Sequence, residues 1–82
     1  MSKKEKLITR LKSKPKDFTW KEAVSLMAKC DFELLKGDGS RRKFFCKERN
    51  LLINLHEPHP SKVLKSYVIN DLIEILKCAG EI

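Results

Sequence analysis

The sequence predicts a small α+β domain in the order helix, three strands, helix, preceded by a short extra N-terminal helix or basic tail. Three observations point there. Apolar residues recur at helical spacing in two stretches, one starting at Thr19 and one ending at Gly80. Between them lie three short segments that alternate apolar and polar side chains. The joints between those segments are only a glycine turn and a polar bend, and connections that short build an antiparallel meander. The expected architecture is a three-stranded antiparallel sheet with two helices on one face and the other face open. A chain of 82 residues is one domain, and at this size it buries only about 60–65% of its unfolded surface. It has no room for a large cofactor cavity beside its core, so a site on an open surface, aimed at a macromolecule, is expected.

Taken in order, residues 1–16 carry seven Lys/Arg and one Glu. Leu7, Ile8 and Leu11 form one stripe on a short helix that stops before Pro15, because proline disfavours helical geometry in the residue ahead of it. Such a helix is too short to hold alone, so it either packs on the body or frays. Thr19 and Glu22 make a capping box at the start of the first main helix, with Phe18 placed to staple onto Ala23. Trp20, Ala23, Val24, Met27 and Cys30 fall on its inner face; Lys21, Ser25 and Lys29 fall outside. Trp20 in such a stripe is a core residue rather than a base-stacking platform.

Phe32 to Lys36 reads as the first strand. Gly37-Asp38-Gly39 is a turn. Ser40 to Glu48 is the second strand, with Arg42, Phe44 and Cys46 on one face and Arg41, Lys43, Phe45 and Lys47 on the other. Lys47 to Asn50 is a bend, with Asn50 suited to a left-handed position. Leu51 to His56 is the third strand, with Leu51, Ile53 and Leu55 inward and Leu52, Asn54 and His56 outward. Pro58-His59-Pro60 then breaks the strand and holds His59 in a stiff, extended loop. Ser66 is placed as the cap of the last helix. Val68, Ile69, Leu72, Ile73, Leu76 and Ala79 line its apolar face, and Gly80 ends it.

The formal net charge is +7, and most of the excess lies in residues 1–16. Within the body it is local: Lys36 to Arg49 holds six basic residues against Asp38 and Glu48. A basic strip on an otherwise balanced fold favours a phosphate-bearing partner. The three cysteines are widely spaced and odd in number, which is no disulfide framework. Reduced, buried thiols in a cytoplasmic protein are expected. Cys46, His56 and His59 have metal-ligating chemistry, but no fourth ligand stands at a standard spacing, so no metal is expected. There is no signal-peptide pattern at the start and no apolar run of membrane-spanning length.

The predicted element order is that of double-stranded-RNA-binding domains. More specifically, the chain from about Phe18 to Gly80 resembles the HicA-type toxins, small bacterial mRNA interferases paired with a HicB antitoxin. The resemblance rests on four pieces. They are Cys30-Asp31-Phe32 at the end of a helix, Gly37-Asp38-Gly39-Ser40 at a turn, Pro58-His59-Pro60 followed by Lys62 and Leu64-Lys65, and Cys78-Ala79-Gly80 at the end of the closing helix. With residues 1–16 read from their charge as a basic tail or short helix, it implies a HicA-like domain over residues 17–82. It also implies mRNA as substrate, a HicB-like antitoxin as partner, and no cofactor. The sequence departs from the family at Arg41, where the family usually has a histidine after the glycine-serine pair.

That departure bears on the chemistry. Metal-free RNA cleavage needs a base for the 2′-hydroxyl proton, an acid for the leaving oxygen and positive charge on the phosphate. Imidazole suits the first two tasks because its ordinary pKa is about 6.5. Arginine stays protonated, but its fork clamps a phosphate. The expected catalytic residues are therefore His59 and Arg41, with His56 as the alternative base. Lys36, Ser40, Arg42, Lys43, Lys62 and Lys65 are the expected RNA-binding residues. A non-catalytic RNA- or partner-binding module of the same fold is the alternative that Arg41 leaves open.

Overall fold

The computed structural model describes residues 2–59 and 61–82. Its elements are α1 (Lys3–Lys12), α2 (Trp20–Lys29), β1 (Glu33–Lys36), β2 (Arg41–Cys46), β3 (Leu51–His56) and α3 (Ser66–Cys78). The strands form one antiparallel sheet in the order β1-β2-β3. The predicted α+β class and the meander are both found. Pro60, the last member of the Pro58-His59-Pro60 segment, lies outside the described residues.

Alternation along the strands separates the two faces of the sheet. Phe44, Cys46 and Leu55 are buried beneath the helices, and Leu34, Leu51 and Ile53 pack against the same core. Facing them, Phe18, Leu26, Met27, Leu72 and Leu76 are buried. Leu26 belongs to this core although the helical stripe read from the sequence left it out.

The N-terminal helix α1 is docked on α2 and α3. Leu11 is fully buried in the common core, and Leu7 and Ile8 pack against it. Burying one such leucine stabilises by about 1.5–3 kcal/mol, which a ten-residue helix needs, since on its own it would not hold. Arg10 adds ion pairs to Glu22 at 2.7 Å and to Asp17 at 3.1 Å. Glu22 also closes the capping box: its backbone N–H donates to Thr19 Oγ1 at 3.2 Å, and its carboxylate accepts from Thr19 N–H at 3.1 Å.

Helices α2 and α3 end in the same way. Phe32 N–H donates to the Met27 carbonyl and Asp31 N–H to that of Ala28; Glu81 N–H donates to the Leu76 carbonyl and Gly80 N–H to that of Lys77. This paired bonding needs a left-handed residue after the cap. Gly80 takes it at φ +77°, and Asp31 takes it at +66° despite its side chain.

Two expectations need correction. Ser66 does not cap α3: Lys65 is the N-cap and makes no side-chain cap bond. The Val68 and Ile69 amides already reach the Lys65 carbonyl, so the helix starts one residue earlier than a serine cap allows. Cys78 is not buried, whereas Cys30 and Cys46 are. At about 100° per residue, position 78 points roughly opposite the Leu76 side of α3.

Candidate nucleic-acid interface

The site is built from the turn between β1 and β2. Gly37 N–H donates to the Arg41 carbonyl at 2.9 Å and Arg41 N–H to the Asp38 carbonyl at 3.1 Å, which closes the turn. Gly39 supplies the left-handed step at φ +59°. Gly37 suits the turn for a different reason: a Cβ there would lie a tight 3.1 Å from the Cβ of Arg41. The turn delivers Ser40 and Arg41 to the end of β2.

The register then brings in β3. Arg41 pairs with His56 and Lys43 with Asn54, on the face that no helix covers. Glu57 N–H donates to the Ser40 carbonyl at 2.8 Å and continues the pairing past the strand end. The Ser40 hydroxyl lies 3.3 Å from His56 Nδ1. Ser40, Arg41, Lys43 and His56 are all exposed.

Arg42 points the other way. Its side chain is only 14% exposed and is taken up by the fold. Nη1 donates to the carbonyls of Gly39 at 2.9 Å and Arg41 at 2.7 Å, and Nε donates to Glu57 at 3.3 Å. It braces the turn from the covered side, while Arg41 and Lys43 meet solvent.

Two recesses flank this point. One is a cleft lined by Arg41, Arg42, Lys43, Asn54 and His56. The other is a groove between the end of β3 and the start of α3, lined by His56, Glu57, His59, Ser61, Lys65 and Tyr67 among others. His56 lines both. His59 and Lys65 thus reach one groove with His56, next to Arg41 and Ser40. Lys36 and Lys62 stand outside both recesses. Lys36 is exposed at the end of β1 in register with Arg42. The Lys62 carbonyl accepts from Trp20 N–H at 2.9 Å, which ties the loop to the start of α2 and leaves the ammonium exposed.

Glu57, Ser61 and Tyr67 are groove residues that sequence reasoning missed. Tyr67 is 58% exposed. Its signal was available: it is an aromatic residue on the last helix that stands off the stripe of Val68, Ile69, Leu72 and Ile73. Farther along the open face the surface turns apolar, with Leu35 38% and Leu52 49% exposed and Phe45 half-buried.

The thiols do not belong to this chemistry. Burial pushes the Cys30 thiol up to about 11, and the Glu81 carboxylate adds to the shift. Among the described residues no group of three or more His, Cys, Asp or Glu side chains is arranged to hold a metal ion, and no helix is long and apolar enough to cross a membrane.

With this geometry in place, comparison with known proteins gives one match. The family model of the HicA toxin of bacterial toxin–antitoxin systems fits residues 20–80. Neither the curated proteins nor the solved structures gave a match.

Proposed function

The chain belongs to the HicA toxin family of bacterial toxin–antitoxin systems, and from that premise we propose that it binds mRNA in the cytoplasm and cleaves it as a metal-independent endoribonuclease. The observation that carries this reading is the meeting of Ser40, Arg41 and His56 at one end of the open sheet face, beside the groove that holds His59. RNA lies across the turn and the open face. Arg41, always protonated, clamps the scissile phosphate. His59 takes the 2′-hydroxyl proton. Lys43 and Lys65 hold neighbouring phosphates from the two recesses, while Lys36, on the same face as Arg42, and Lys62, on the loop tied to α2, add only long-range positive charge. Arg42 serves the site by holding the turn that presents Ser40 and Arg41. A HicB-like antitoxin neutralises the toxin, and the apolar stretch of Leu35, Phe45 and Leu52 next to the basic end suits a protein partner.

One observation favours a second reading, a non-catalytic RNA-binding module. The residue at position 41 is an arginine, well placed to bind a phosphate and unable to accept a proton. Incubation of a defined mRNA with the protein in EDTA separates the two. Fragments from the parent and none from His59→Ala support the endoribonuclease. Intact RNA that shifts in a salt-dependent manner supports the binding module.

A further inference from the structure

We propose that His56 is the second proton-transfer group of this site: it acts as the general acid opposite His59, with Ser40 as the residue that positions its ring. This rests on the endoribonuclease reading above. Cleavage by a ribose 2′-oxygen needs two proton transfers, one from the nucleophile and one to the leaving oxygen. His59 accounts for the first alone.

His56 is placed for the second. It lines both the cleft that holds Arg41 and the groove that holds His59. It therefore shares one recess with the residue that would bind the phosphate and the other with the residue that would start the reaction. The other groups in the groove are less suited. The Glu57 carboxylate is bonded to Arg42, and a phenol or an ammonium ordinarily titrates more than three units above imidazole. Imidazole holds and releases a proton near neutrality.

The ring is also held. Ser40 Oγ lies 3.3 Å from Nδ1, and this is the one hydrogen bond of the His56 side chain among the described residues, so Nε2 is left for substrate. Both ends of that contact sit on paired backbone. Arg41 and His56 face each other in the register, and the Ser40 carbonyl accepts from Glu57 N–H at 2.8 Å. In the protonated ring, Nδ1–H donates to the serine oxygen and Nε2–H is free to give its proton away.

The step balances. O2′ attacks phosphorus as His59 takes its proton, and the P–O5′ bond breaks as O5′ takes the proton from His56 Nε2. The products are a 2′,3′-cyclic phosphate and a 5′-hydroxyl. His59 leaves protonated and His56 neutral, and exchange with water resets both.

The test uses the full chain and two versions of one short RNA, identical except that one carries sulfur in place of the bridging 5′-oxygen at the cleaved linkage. A thiolate leaves without being protonated, so it removes the need for the acid but not for the base. His56→Asn keeps a group able to bond Ser40 and cannot shuttle a proton. It is expected to bind RNA and melt like the parent, and to cut the ordinary linkage about 10²–10⁴-fold more slowly. On the sulfur linkage it is expected to recover to within about tenfold of the parent, while His59→Ala stays slow on both. Ser40→Ala is expected to lose about tenfold on the ordinary linkage and little on the sulfur one. Cutting by His56→Asn at the parent rate, failure of that variant to recover on sulfur, or recovery of His59→Ala instead overturns the assignment. If the parent itself cuts neither RNA, the endoribonuclease reading falls and this assignment falls with it. If the parent cuts and His56→Asn cuts equally well, only the role of His56 falls.

Discussion

Arg41 on β2 and His56 on β3 are direct cross-strand partners, and the Ser40 hydroxyl beside Arg41 lies 3.3 Å from the His56 ring. The pairing joins a cation to an imidazole on the uncovered face of the sheet. Its neighbour Arg42 sits on the opposite face, bonded to two carbonyls and Glu57.

Two adjacent arginines should therefore behave differently. Arg41→Ala should change stability by less than about 0.5 kcal/mol, as an exposed substitution does. It should weaken RNA binding and lower the salt slope by about one. Arg42→Ala should instead destabilise by about 1.5–3 kcal/mol, because it removes charged hydrogen bonds from a mostly covered group. Urea unfolding and RNA titration at several salt concentrations separate the two.

The first helix should prove to be part of the folded unit. Leu11 is fully buried, although it lies ahead of the segment matched by the family model. Leu11→Ala should cost about 2–5 kcal/mol. Unfolding in urea checks this, and a change below about 1 kcal/mol would mean that α1 contributes little.

Asp31 occupies the left-handed position that Gly80 fills at the end of the other helix. A side chain there carries steric strain that glycine avoids. Asp31→Gly should stabilise the protein by about 0.5–1 kcal/mol after the extra freedom of glycine in the unfolded chain is set against the gain. The melting temperature should rise accordingly.

Acid should loosen the fold through Glu81. The hydrogen bond from Lys4 holds its carboxyl below the ordinary range, against burial, and Arg49 at 3.6 Å adds to the effect. Arg10, with the Thr19 cap, acts in the same direction on Glu22. A lowered folded-state pKa means that the unfolded chain binds the proton first. The stabilisation is thus complete above the ordinary carboxylate value of about 4.5 and is lost as pH falls through the lower folded value. The urea midpoint should be flat above about pH 5.5 and drop below about pH 4.5. In Glu81→Gln the midpoint should be lower at neutral pH and the acid drop shallower. An unchanged acid profile in that variant would contradict a role for the Lys4 and Arg49 contacts to Glu81.

Much of this fold was legible because local signals agreed. Thr19 and Glu22 sit at capping-box spacing, Asn50 does take a left-handed turn at φ +51°, and the alternation along β2 and β3 sorts their faces as read. The candidate site was legible as a list of residue types and less so as an arrangement. That His56 stands opposite Arg41 depends on the strand register, which the turn at 47–50 sets and which composition does not reveal. That Arg42 turns inward to Gly39 and Glu57 needs the geometry of the glycine turn. The exposure of Cys78 and the missing cap at Ser66 depend on where α3 begins and how it is rotated, a matter of one residue that apolar spacing does not resolve.

The most direct measurement is the chemistry at the ends of the RNA fragments. The protein and its His59→Ala variant are incubated with a defined mRNA in EDTA, and the new ends are identified. The account predicts 2′,3′-cyclic phosphates and 5′-hydroxyls from the parent and no fragments from the variant. Intact RNA with the parent, or fragments carrying 5′-phosphates and 3′-hydroxyls, would contradict it.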